Sequence, residues 1–512
     1  SLRTLFEAPS VHALAVRIEH ERATGSDAGS SLESSLFGRQ PMQARRDRDT
    51  PAPLSLAQQR MWFLNRLDPD SAANNVPVII SLEGELDVDA LVLAFRDVLA
   101  RHDILRTVYP DIDGVGYQGV EPLAAGAVSS DPVVLEIEQI DPGEARPRAL
   151  EMLGGGFDVT AGVPVRAALL RESPQYHVLV VVAHHISVDG FSIGPLTRDL
   201  AQAYAARASG QAPGWSRPAL QYADFAVWQR EILGAEDDPS SIASAQLDYW
   251  IRQLAGLPDE IELPTDRPRP AEMSYRGAAT SVAVDAVLRR RITALANASG
   301  VTPFMVMHGA LAVLLARMSD TDDVAIGTPV AGRGSAELDD MIGMFVNTLV
   351  LRTQVDSALT FADLLAEVRE SDLSAFAHSD VPFERIVDVV DPQRSRGRHP
   401  LFQVMYTFQN LEGTRLELGG PDRRRDRTGH RPCEVRPPDH CLGQSRLRGK
   451  CLRVECRIRL RDRPVRSIDG RRYGGEIDAP SDRTARRTRS TGRRHRTRRS
   501  VRTRAPAADL ER

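Results

Sequence analysis

Cysteine is missing from the first 420 residues; all four (Cys433, Cys441, Cys451 and Cys456) lie beyond them. No disulfide framework therefore supports the body of the chain. Lysine is nearly absent too. Lys450 is the only one among 65 basic Lys and Arg residues, which points to a GC-rich gene, since lysine codons are AT-rich. No run of 18 or more apolar residues occurs and no basic-then-apolar leader opens the sequence, so neither a spanning helix nor a secretory signal is expected. The cytoplasm is the expected setting. At 512 residues, 42% hydrophobic and 26% charged, the composition is that of a globular protein longer than two average domains. The chain begins inside what reads as a helix, so a piece of a longer protein is expected.

Charge is divided unevenly. Residues 421–512 hold 28 Arg and one Lys against 12 acidic residues, a net of +17, and the first 420 residues carry −21.

The stretch that organises the rest is Val178-Leu-Val-Val-Val-Ala-His184-His185-Ile-Ser-Val-Asp189-Gly190-Phe-Ser192. Its apolar run predicts a strand buried on both faces. The segment from Pro195 predicts a helix with proline in its first turn. Two histidines thus stand where a rigid strand ends and the chain turns. Adjacent strand residues point to opposite faces, so at most one of the two faces any given cavity. His and Asp are also metal ligands, but no third clustered His, Cys or Glu accompanies them. An imidazole used as a general base suits the pattern better than zinc.

Further along the chain, Pro53-Leu-Ser-Leu-Ala-Gln-Gln-Arg-Met-Trp62 starts an amphipathic helix, with Trp62 as a core residue. Asp87 caps a helix with apolar positions Val88, Leu91, Phe95 and Leu99. Arg101-His-Asp-Ile-Leu-Arg106 turns from that helix into a strand. Gln221-Tyr222-Ala-Asp224-Phe225-Ala-Val-Trp228 carries aromatics that read as core, with Trp228 a candidate cavity-lining residue. Leu263 to Pro270 reads as an extended crossing between two halves. Thr302-Pro303 caps an almost wholly apolar helix from Phe304 to Arg317, expected to be deeply buried. Asp323–Val330 is a strand, and Ile342-Gly343-Met-Phe-Val-Asn347-Thr348 leads into another, in which Asn347 needs hydrogen-bond partners.

Together with His378-Ser-Asp-Val-Pro382-Phe383-Glu384 and the run from Arg394 to Phe402, these stretches resemble, in order, the motifs of condensation domains of non-ribosomal peptide synthetases. That family lies within the chloramphenicol-acetyltransferase-like superfamily. The resemblance covers roughly residues 53–420. It implies an α/β (α+β sandwich) fold of two acetyltransferase-like lobes, a V-shaped pseudo-dimer around a central channel. The expected layout is a carrier-domain helix over 1–23 capped at Ser10, a linker over 24–52, lobes over 53–225 and 226–420, and no domain over 421–512. It also implies an acyltransferase that joins a donor thioester to an acceptor amine. His185 accepts or orients the amine proton, and His184 packs. Asp189 fixes the loop, and the Gly190 amide faces the oxyanion. A buried carboxylate needs a cation, and Arg106 is the expected partner of Asp189. Ser192, Trp228 and Asn347 are expected beside the channel. No cofactor or metal is expected to bind directly. Phosphopantetheine arms arrive on upstream and downstream peptidyl carrier domains, with an adenylation domain downstream, and neither nucleic acid nor membrane is an expected partner. The carrier remnant directly before the body implies an L-configured donor. An epimerase of the same superfamily, an ester-forming acyltransferase and a non-enzymatic scaffold are the rival readings.

After Gly420 the periodicity vanishes. The arginine density alone suits a phosphate-binding arm. A codon argument favours a shifted reading frame: Cys433-Glu-Val-Arg-Pro437, read one nucleotide later, can encode Ala-Lys-Phe-Asp-Leu, a phrase that condensation domains carry at about this place. The second half would then lack its last strands and helices, leaving uncovered apolar surface and a chain that is poorly soluble or inactive.

Overall fold

The computed structural model describes residues 41–408, except 49, 126–127, 272–279, 281, 394 and 396, and also the short strands Glu417–Leu418, Cys433–Arg436 and Arg459–Leu460. The expected carrier helix, its cap at Ser10, most of the linker and nearly all of the arginine-rich tail lie outside the described residues.

In the first half, helix α1 (Leu56–Leu67) starts at a reciprocal cap. Ser55 Oγ accepts from Gln58 N, and Gln58 Oε1 accepts from Ser55 N, each at 3.1 Å. Strand β1 (Asn75–Glu83) leads to α2 (Val88–Arg101), capped by Asp87 as its spacing predicts, through a 2.9 Å bond from Ala90 N. Strands β2 (Leu135–Gln139), β3 (Val165–Ser173) and β4 (Tyr176–His184) follow, then helices α3 (Ile193–Ala208) and α4 (Tyr222–Leu233). β4 lies between β1 and β3, antiparallel to both, with His184 opposite Asn75 and Ala183 opposite Val165. Every residue of β4 after Tyr176 is buried, because helices and loops cover both faces of this central strand.

The second half contains α5 (Pro303–Ser319), β5 (Asp323–Val330), β6 (Asn347–Gln354), α6 (Phe361–Ala377), α7 (Phe383–Val390) and β7 (Val404–Met405). β5 is the middle strand, antiparallel to β6 and parallel to β7. Thr302 caps α5, with Pro303 at its first position. The expected deep burial of α5 holds on one side only. Met305, Val306, Ala312 and Leu315 are buried, while Leu314 is 54% and Met318 47% exposed. Apolarity all round predicts burial all round, but among the described residues the neighbours α6 and Ala286–Ala298 leave an outward row open. Beyond it, β8 (Glu417–Leu418) pairs with β9 (Cys433–Arg436), and β9 adds to the free edge of β1.

The largest core joins residues of the first half to Leu338, Met341, Ile342, Met344 and Phe345 from the loop between β5 and β6. This loop is where the second half reaches into the first. In the stretch expected to cross between two halves, Leu263 packs with Ile261 into a second-half core. The mixed α/β class is as expected. Among the described residues no single helix is long and apolar enough to cross a membrane.

Candidate active site

The strand end splits the histidine pair. His184 finishes β4 and is 1% exposed. Its Nδ1 accepts from Ile186 N at 3.2 Å, and the Phe157 ring meets it edge-on at 6.5 Å. With Nδ1 an acceptor, the neutral ring carries its proton on Nε2. Burial, aided by the neighbouring His185, pushes its pKa down to about 3. His185 is half-buried, tied through its backbone N to Asn74 O at 2.7 Å.

Asp189 is fully buried and holds the turn together. Its Oδ1 accepts from Ser192 N and Ser192 Oγ, both at 2.8 Å, and its Oδ2 accepts from Phe345 N at 3.1 Å. The cation beside it is Arg333, whose Nη2 lies 3.2 Å from Oδ1. Arg333 also donates to Leu338 O at 2.5 Å and Met341 O at 2.6 Å, and its guanidinium sits over the Phe345 ring at 4.2 Å. The expected pairing of Asp189 with Arg106 is therefore wrong. Arg106 is buried, but its short turn after α2 aims it at Asp103, 2.5 Å away, and at the carbonyls of Leu99 and Glu121. A buried guanidinium takes the carboxylate within reach, and here that is one three residues back.

Ser192 Oγ accepts from Gly343 N at 3.1 Å and lies 3.0 Å from Gly343 O, so it joins the turn to the crossing loop. Gly190 is exposed, and a Cβ there would meet nothing within 4 Å. Packing in the fold does not require a glycine at that point. Asn347 finds its partners in the turn before α7. Its Nδ2 donates to Ser379 O at 2.9 Å and Val381 O at 2.7 Å, and its Oδ1 accepts from Phe383 N at 3.1 Å. Trp228 is half-buried, packed beside Phe225 at the edge of the first core.

Several residues around the turn were not legible as site residues. Gln58 Nε2 donates to Ile186 O at 3.1 Å, and Tyr109 Oη lies 2.8 Å from Ser187 Oγ, both buried. Tyr222, expected only as core, uses its hydroxyl to hold Ser55 and Met344.

The chain matches the Condensation domain family over residues 49–431. It belongs to that family. The condensation domain is 44% identical over 378 residues to a dimodular nonribosomal peptide synthase of Bacillus subtilis, covering 74% of this chain and 16% of that protein. It is 43% identical over 373 residues to an isonitrile lipopeptide synthase of Mycobacterium tuberculosis, covering 73% of this chain and 15% of that protein. It thus spans well under a fifth of the length of either relative. Among solved structures, the X-domain in the complex of the X-domain and OxyB from teicoplanin biosynthesis is 34% identical. The two superpose with a TM-score of 0.65 over 72% of this chain and 79% of that one.

Proposed function

We propose that this condensation domain forms an amide bond between two groups delivered as thioesters on carrier domains. The acceptor's amine attacks the donor's thioester carbonyl, the C–N bond forms, the donor's thiol leaves, and the chain passes downstream. His185 takes or orients the amine proton, a contribution of roughly 10²–10⁴ in rate. Holding both thioesters in place supplies more, about 7–11 kcal/mol of the barrier. The Gly190 amide faces the developing oxyanion. Asp189, Ser192 and Arg333 hold the turn that carries these groups, and Asn347 and Trp228 support the walls.

One observation carries the reading: the strand end buries His184 and pushes its pKa down, and leaves the adjacent His185 half-buried. A ring held near pKa 3 is protonated only in strong acid and is a poor base near neutral pH. The division of labour between the two rings follows from that.

In this reading the lobes are residues 53–225 and 226–420, meeting along a channel in a V-shaped pair, preceded by a carrier helix at 1–23 and a linker at 24–52. The partners are an upstream and a downstream peptidyl carrier domain with phosphopantetheine arms, and a downstream adenylation domain. The arms belong to the carriers, the donor is L-configured, and the setting is the cytoplasm. The frame shift after Gly420 stands beside this proposal, and resequencing around codon 420 tests it.

Replacing His185 by Ala, with both carriers loaded with radiolabelled aminoacyl groups, is expected to abolish dipeptidyl-carrier formation. Near-normal transfer removes His185 from the mechanism. A scaffold role is the second reading, motivated by the likeness to an X-domain solved in complex with OxyB. Binding of loaded carriers without transfer by the unaltered chain would favour it.

A further inference from the structure

We infer that Tyr222 is a positioning residue for the histidine turn, acting through the loop between β5 and β6; the inference rests on the amide-forming reading above. Residues 343–345 are gripped from two sides. Gly343 and Phe345 present backbone groups to Ser192 and Asp189 on one side. Met344 O, between them, accepts from Tyr222 Oη at 2.5 Å on the other. A carbonyl can only accept, so the Tyr222 hydroxyl donates there, and the 2.8 Å contact to Ser55 Oγ must be donated by Ser55.

Ser55 in turn bonds Gln58 in the reciprocal cap, and Gln58 Nε2 donates to Ile186 O, the residue after His185. The bonds close a circuit: Ile186, Gln58, Ser55, Tyr222, Met344, and back through Gly343 and Phe345 to Ser192 and Asp189. The circuit encloses the turn that bears His185, and its side chains are buried. Tyr222 stays protonated throughout, because burial raises its pKa above the ordinary tyrosine value. Its ring also sets the spacing. A Cβ on Gly343 would fall inside the Tyr222 ring, so the residue at 343 has to be glycine for that ring to lie where it does. The edge-on contact with Phe345 at 5.0 Å completes the seat.

The test is Tyr222→Phe in the full chain, which keeps the ring and removes only the hydroxyl. The first readout is the midpoint of the His185 ring titration by NMR with ¹³C-labelled histidine, assigned with His185→Gln. The second is transfer between carriers loaded with alanyl and glycyl thioesters. Expected are a displaced His185 midpoint and a kcat lowered about tenfold or more, with KM for the acceptor carrier unchanged. Gly343→Ala, whose added Cβ would collide with the Tyr222 ring, is expected to displace the same midpoint. A lowered melting temperature with midpoint and kcat unmoved would show a purely structural tyrosine and overturn the inference. If the unaltered chain transfers nothing while the midpoint still moves in Tyr222→Phe, the positioning role stands and the amide-forming reading falls.

Discussion

Replacing Arg333 by Met takes the cation away from a carboxylate with no solvent exposure. Removing one partner of a buried ion pair costs about 3–5 kcal/mol, because the remaining charge is left uncompensated. Asp189 would keep three donors, from Ser192 N, Ser192 Oγ and Phe345 N, which favours the lower end of that range. Two further losses oppose this: the carbonyls of Leu338 and Met341 lose their donor, at about 1 kcal/mol each, and the cation over the Phe345 ring goes too. A cost near 4 kcal/mol is a large share of the roughly 5–15 kcal/mol that holds a domain folded. A double-mutant cycle isolates the pair. With Asp189→Asn already present, Arg333→Met should cost about 2 kcal/mol less than it does alone, read by urea unfolding followed by tryptophan fluorescence. The same cycle with Arg106→Met should be additive within about 0.5 kcal/mol. Additivity for Arg333, or strong coupling for Arg106, would refute the assignment.

Three other outcomes can be checked. The folded-state pKa of His184 lies below its ordinary value of 6.5, so its contribution to stability is intact above about pH 6.5 and is lost as pH falls toward about 3. Unfolding at pH 4.5 should be easier by about 3 kcal/mol from this ring, and His184→Gln should flatten that part of the pH profile; an unchanged slope would contradict it. Asn347→Ala strips the donors from Ser379 O and Val381 O and should cost about 1–3 kcal/mol, with faster hydrogen exchange over 379–383; protection at the unaltered level there would count against the anchor. Leu314→Gln with Met318→Glu should raise soluble yield at no cost in stability, since both side chains are largely exposed, whereas a loss of stability would show that the row is covered.

Local features of the chain were readable from the sequence where a single physical cause decides them. The β-branched run of β4, the caps at Asp87 and Thr302 and the opposite facing of His184 and His185 need only neighbours in sequence. The need of Asp189 for a cation was also readable, but its identity was not. Arg333 is 144 residues away, in a Gly-Arg-Gly loop without periodicity, while Arg106 sits in a motif that draws the eye. Aromatic character predicts where the Tyr222 ring goes, not what its hydroxyl holds. Apolarity marks α5 as a helix, yet how far it is buried depends on neighbours that its own residues do not specify.

The strip from Leu338 to Phe345 belongs by chain order to one half and by packing to the other. Anyone building hybrids by exchanging halves between relatives would carry this strip along with the wrong partner, and with it the seat of Asp189. A graft meant to alter substrate choice would then disturb the histidine turn first, unless residues 332–346 travel with the half they line.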